Sequence, residues 1–173
     1  MLLKTFVLLY TDLAVDMSYK NLHGKNSKKN IKNFETMGFI KITHEILKEI
    51  LIAEIYTSHI PLLLKLEETN EENLIDMFWE RSIKILKDRY KYFKNAKEVN
   101  EFSELIIDRY KEYFKSSQGN DFWTMEIAKI LENRVRGSNG LLTINISGIL
   151  VIMLEVLKNF IDDNFDKNLV EIK

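Results

Sequence analysis

The sequence predicts an all-α fold, a compact bundle of six or seven helices. Three observations carry that prediction. Apolar residues recur at spacings of three and four along most of the chain. No strand-like alternation survives beyond the opening residues. One proline and six glycines leave no linker rich enough to force a domain boundary, so residues 1–173 read as a single domain.

The first helix is predicted over Leu2 to Leu22. Leu2, Phe6, Leu9, Leu13 and Met17 form one stripe, and Leu3, Val7, Tyr10 and Ala14 widen it. A helix apolar over so much of its circumference is central or part of an interface. A short strand over Leu3 to Tyr10 is the alternative. Gly24 can end the helix, and residues 22–35 show no apolar period, so they read as a basic loop. The next helix is expected from Thr43 to Thr57, with Ile46, Ile50 and Ala53 on one stripe. Pro61 does not fit a helix interior. Ser58 is therefore the expected cap of a short helix through Leu66, with one kinked helix as the alternative.

Thr69-Asn70-Glu71-Glu72 has the pattern of a capping box. The helix after it should span Asn70 to Lys94, with Leu74, Ile75, Phe78, Trp79, Ile83, Leu86, Tyr90 and Phe93 inward. Another should cover Glu98 to Lys115. Asn120 or Asp121 caps the next, which runs to Val135. The last helix is expected from Thr143 to Asn164, with fraying near its end, where Asp162, Asp163 and Asp166 oppose its macrodipole. Leu141 to Leu157 is rich in Ile, Leu and Val but short of a membrane span and interrupted by Thr143, Asn145, Ser147 and Glu155, which favours a core helix.

Composition excludes several chemistries. The absence of cysteine removes disulfides, Cys-based zinc sites, iron–sulfur clusters and thiol nucleophiles, and it fits a cytoplasmic protein. The apolar opening resembles a secretion signal, but Asp12 and Asp16 stand where a small-residue cleavage site belongs. The three histidines, His23, His44 and His59, lack ligand partners at helical spacing. His44-Glu45-Ile46-Leu47-Lys48 starts like a zinc-protease motif, with lysine where the second histidine must stand. Gly24-Lys25-Asn26-Ser27 lacks the upstream glycine of a phosphate loop, and Ser147-Gly148 lacks the preceding glycine of a nucleophile elbow. No cofactor and no metal site is expected.

Charge is the one patterned feature. The formal net charge is −1, so no whole-molecule field draws the chain to nucleic acid or membrane. Residues 20–32 carry five lysines and no acid. Residues 67–80 carry six acids and no base, and residues 81–97 carry seven bases against Asp88 alone. The gradient complements a helix macrodipole without any ligand. Joined in space, Lys25, Lys28, Lys29 and Lys32 with Lys91 and Lys94 would form a basic patch for phosphates or an acidic partner.

The leading expectation is a non-enzymatic interaction or regulatory module that binds a protein partner or itself through a helical face. Its positive warrant is the excess apolar surface on the first and last helices. The second is a nucleic-acid-associated protein using the basic patch. The third is an enzyme whose site assembles from distant residues such as His44, Glu45 and Arg134.

Overall fold

A computed structural model describes residues 3–25, 27–38, 41–117, 122–134 and 141–169. Among them are seven α-helices, one 3-10 turn and no strand. The all-α bundle is therefore the fold, and the strand alternative for the opening residues falls away.

Helix α1 runs from Leu3 to His23. Its buried face is Val7, Tyr10, Thr11, Ala14, Val15, Ser18 and Leu22 with Phe6. Leu9, placed on the leading stripe from sequence, is half exposed instead. The small side chains Thr11, Ala14 and Ser18 fall at spacings of three and four, on the face that α1 packs inward. Gly24 closes the helix, its N–H donating to the Lys20 carbonyl at 2.9 Å.

Residues 22–35 are not a continuous loop. Helix α2 occupies Ser27–Gly38 and packs on α1 and α7. Ser27, Ile31 and Glu35 recur at four and face inward, while Lys28, Lys29 and Lys32 stay in solvent. One apolar residue on that short repeat is too weak a period to detect in the sequence.

Helix α3, His44–Glu68, is the axis of the fold and packs on α1, α4, α5, α6 and α7. Ile50 to His59 are buried without a break. Thr43 caps it, its hydroxyl accepting from the Ile46 N–H at 3.3 Å. The separate Ser58-capped helix does not form. Pro61 lies inside α3, and the Ser58 hydroxyl donates back to the Glu54 carbonyl at 2.7 Å. The buried run Ile50 to His59 before Pro61, with Leu62 and Leu66 after it, holds this helix through a residue that local propensity would reject.

Thr69 is the C-cap of α3 rather than the start of the next helix, and Asn70 turns the chain with φ 57°. A 3-10 turn at Glu72–Leu74 leads into α4, Ile75–Asp88. The capping-box pattern at 69–72 thus marks an end. The working N-cap is Asn95, whose side chain accepts from the Glu98 N–H at 3.0 Å. The Glu98 carboxylate reaches back to the Lys94 N–H at 2.9 Å. It opens α5, Ala96–Ser117. Helix α6 is Trp123–Arg134, and the Asn120 or Asp121 cap expected for it lies outside the described residues. Helix α7 runs from Leu141 to Leu169, five residues past the end expected at Asn164.

Candidate interaction site

Helix α7 has two apolar faces. Thr143, Ile146, Ser147, Leu150, Met153, Leu157, Ile161 and Phe165 recur at three and four and are buried. That seam packs on α6, α3, α1 and α2. The opposite face carries Ile144, Val151, Ile152 and Val156, which are 60%, 49%, 62% and 42% exposed. Gly148 sits between them, exposed, with open space where a side chain would be. No charged residue occurs from Leu141 to Leu154. Only a third of the most apolar stretch is buried, and by length and composition alone Thr143–Phe165 is long and apolar enough to cross a membrane. The same length and hydropathy suit a core helix, and the buried seam is what the fold makes of it.

The lysines nominated from sequence are all exposed: Lys25, Lys28, Lys29, Lys32, Lys91 and Lys94. The end of α1 meets the turn after α4, where Tyr19 stacks on Tyr90 at 3.8 Å and His23 meets Tyr92 edge-on at 5.7 Å. Lys25 and Lys91, next to those rings in sequence, therefore share one end of the molecule. Lys91 has a left-handed backbone, φ 51°. Lys94 lines a depression with His44, Lys48 and three carboxylates, Glu45, Glu98 and Glu101. Mixed charge there weakens the case for a phosphate site.

Every arginine among the described residues is held by carboxylates of another helix. Arg81 grips Asp12 through two bonds, at 2.7 and 3.0 Å. Arg89 bridges Asp12 and Asp16, both at 2.7 Å. Arg109 forks onto Glu49 at 2.7 Å, and Arg134 pairs with Glu112. Partial burial disfavours ionised Asp12 and Asp16. Hydrogen bonds from Arg81 and Arg89 to Asp12, and from Tyr90, Arg89 and Lys20 to Asp16, outweigh it and hold both below the usual carboxylate range. These arginines join α1 to α4 and α5 to α3 and α6. They are not available as phosphate forks.

The assembled-enzyme trio is split. Glu45 and Arg134 line one cleft of about 180 Å³, with Glu49 between them in the salt-bridge network. His44 lines the neighbouring depression instead. Glu45 pairs with Lys48 at 2.9 Å. Among the described residues no group of three His, Asp or Glu is placed to hold a metal ion.

A polar seam missed in the sequence runs between α1 and α3. The Tyr10 hydroxyl donates to the Ser58 carbonyl at 2.5 Å. Asn21 donates to one carboxyl oxygen of Glu54 at 2.8 Å, while the other oxygen has no partner among the described residues. Glu54 is fully buried, and desolvation pushes its pKa up to about 8 against the opposing hydrogen bond from Asn21. His59, buried beside Tyr56, Phe78, Trp79 and Tyr110, is pushed down to about 4 by the same cause. Its Nδ1 lies 2.5 Å from the Tyr56 carbonyl, so that nitrogen carries the proton, and Nε2 has no partner among the described residues. The available signal was a lone acid inside the apolar run Ile50 to Tyr56. Comparison with known protein families, characterised proteins and solved structures returns no match.

Proposed function

We propose that the chain is a non-enzymatic helical interaction module that engages a protein partner, or a second copy of itself, through the outer face of α7. The observation that supports this reading is the apolar row Ile144, Val151, Ile152 and Val156 left in solvent, with no charge ahead of Glu155. These side chains present on the order of 350 Å² of apolar surface, the size at which patches on monomers mark contact sites. A standard interface covers about 800 Å² per partner, so the row is the centre of a contact. Asn145, Glu155 and Asn159 then supply its polar rim.

The test uses an Ile144→Glu/Ile152→Glu double variant, matched to the parent by circular dichroism and melting temperature. Both proteins are sedimented alone and used to capture material from nuclease-treated lysate of the source cells. A dimer or a stoichiometric partner found with the parent and lost with the variant supports the reading. Equal behaviour of the two proteins refutes it. Material recovered only without nuclease transfers the function to the exposed lysines.

A further inference from the structure

Helices α4 and α5 both pack on α3, not on α7, and leave an apolar groove of about 480 Å³ between them. Ile75, Trp79 and Ile83 form one wall, and Ile106, Ile107 and Tyr110 the other. Ile107 is 55% exposed in it. Phe114 stacks on Tyr110 at 5.9 Å and extends the apolar strip by one turn. Both walls place their apolar residues at spacings of three and four, so the groove follows two helix faces and has the shape that takes a third helix.

Its α4 rim is acidic. Glu72, Asp76 and Glu80 recur at four along that side, all exposed, and Asp76 and Glu80 line the groove. Glu104 and Asp108 are exposed on α5 but lie outside the lining. None of the five is paired with a base among the described residues, and the neighbouring Lys84 binds Asp88 at 3.0 Å. Lys111 is the one base lining the groove. Carboxylates on a solvated face are ordinary, but the unpaired Asp76 and Glu80 beside an apolar trough favour positive charge along its α4 bank.

We infer that the α4–α5 groove docks a basic amphipathic helix of a partner protein. Apolar residues of that helix at i, i+3 or i+4, and i+7 fill the trough over Trp79 and Ile107. Lysines or arginines on its α4-facing flank meet Asp76 and Glu80. The inference is independent of the α7 face, which carries no charge between Leu141 and Leu154 and would not select a basic ligand.

The probe is a synthetic amphipathic peptide of about four helical turns, leucine on one face and lysine on the rest, with a glutamate counterpart as control. Trp123→Phe leaves Trp79 as the sole tryptophan reporter, since the chain has two. The lysine peptide is expected to change Trp79 emission saturably, and its affinity to fall roughly tenfold or more between low and high salt. The glutamate peptide is expected to leave the emission unchanged. Ile107→Glu separates docking from mere attraction. It adds negative charge but blocks the trough, so docking weakens roughly tenfold or more, whereas unspecific attraction of a cation would hold or increase. Asp76→Lys/Glu80→Lys is expected to weaken the lysine peptide as well. No saturable signal, equal binding of both peptides, or undiminished binding by Ile107→Glu overturns the inference.

Discussion

Replacing Glu54 by glutamine is expected to stabilise the protein at neutral pH and to abolish part of its pH dependence. Glu54 is fully buried with a folded pKa of about 8, against 4.5 for the ordinary side chain. Above pH 4.5 the unfolded chain carries it ionised, so folding must take up a proton. That uptake costs about 1.4 kcal/mol per pH unit, and by pH 7 it amounts to about 3 kcal/mol. Stability from this group is complete below pH 4.5 and is lost as pH rises to 8. His59 acts with the opposite sign. Its folded pKa is about 4 against 6.5, so its contribution is complete above pH 6.5 and lost as pH falls to 4. Between pH 4.5 and 6.5 the chain takes up one proton at Glu54 and releases one at His59, and the two slopes cancel. His23, held low by burial and then by His44, adds a shallow rise on the His59 side. The parent should therefore show near-constant stability from pH 4.5 to 6.5 and then lose about 2 kcal/mol by pH 8. In Glu54→Gln that late loss vanishes. In His59→Asn stability falls steadily from pH 4.5 to 8. Urea unfolding at five pH values measures this. The amide leaves the same site unpartnered as the neutral acid does, so the slope reports the proton rather than the packing. A parent flat from pH 6.5 to 8, with a constant offset to Glu54→Gln, would refute a buried neutral Glu54.

Three other outcomes follow from local geometry. Asp12→Asn leaves Arg81 and Arg89 half-satisfied and should cost about 1 kcal/mol, less at high salt, read by thermal melts at two ionic strengths. Asp12 sits below the usual carboxylate range, so the stability it contributes is present at neutral pH and lost in acid, and this variant should lose less below pH 4 than the parent. Gly24→Ala would set a Cβ 2.3 Å from the Lys20 carbonyl oxygen, so the turn between α1 and α2 must open, at about 1–3 kcal/mol by chemical denaturation. Asn95→Ala removes the acceptor for the Glu98 N–H and should lower the melting temperature by about 2–4 °C, corresponding to about 1 kcal/mol.

What could be read in the sequence was the existence of the long apolar helices; what could not was the short polar helix α2, or which face of each helix turns inward. Helix α1 shows why. Apolar residues cover much of its circumference, and the structure buries a face that also carries the small polar residues Thr11 and Ser18 with Ala14. Leu9, on the richer stripe, is left outside. Helices α3 and α7 have the same uniform apolarity and opposite fates. Helix α3 is covered by five neighbours, and Pro61 is carried along inside it. Helix α7 is covered on one side only, and the remainder is the candidate contact face. Apolarity around a helix says that it must be covered; only packing says whether the chain itself does the covering.

The string Asp-Arg-Tyr-Lys carries the point to single residues. It occurs at 88–91 and again at 108–111. At the second site it lies in the middle of α5, with Arg109 forked onto Glu49 of α3. At the first it ends α4: Arg89 is the C-cap and Lys91 turns left-handed. The local chemistry is the same, so the difference is set from outside. At 88–91, Arg89 and the Tyr90 hydroxyl both bind Asp16, and Tyr90 stacks on Tyr19. Those contacts draw the chain off the helix axis toward α1, and the cap at Asn95 restarts it. The basic residues grouped along 81–97 in the sequence are thereby divided. Arg81 and Arg89 become interhelical ties, and Lys91 and Lys94 remain in solvent. A run of like charges was legible, but the assignment of each charge to packing or to solvent depended on carboxylates some seventy positions away, at Asp12 and Asp16.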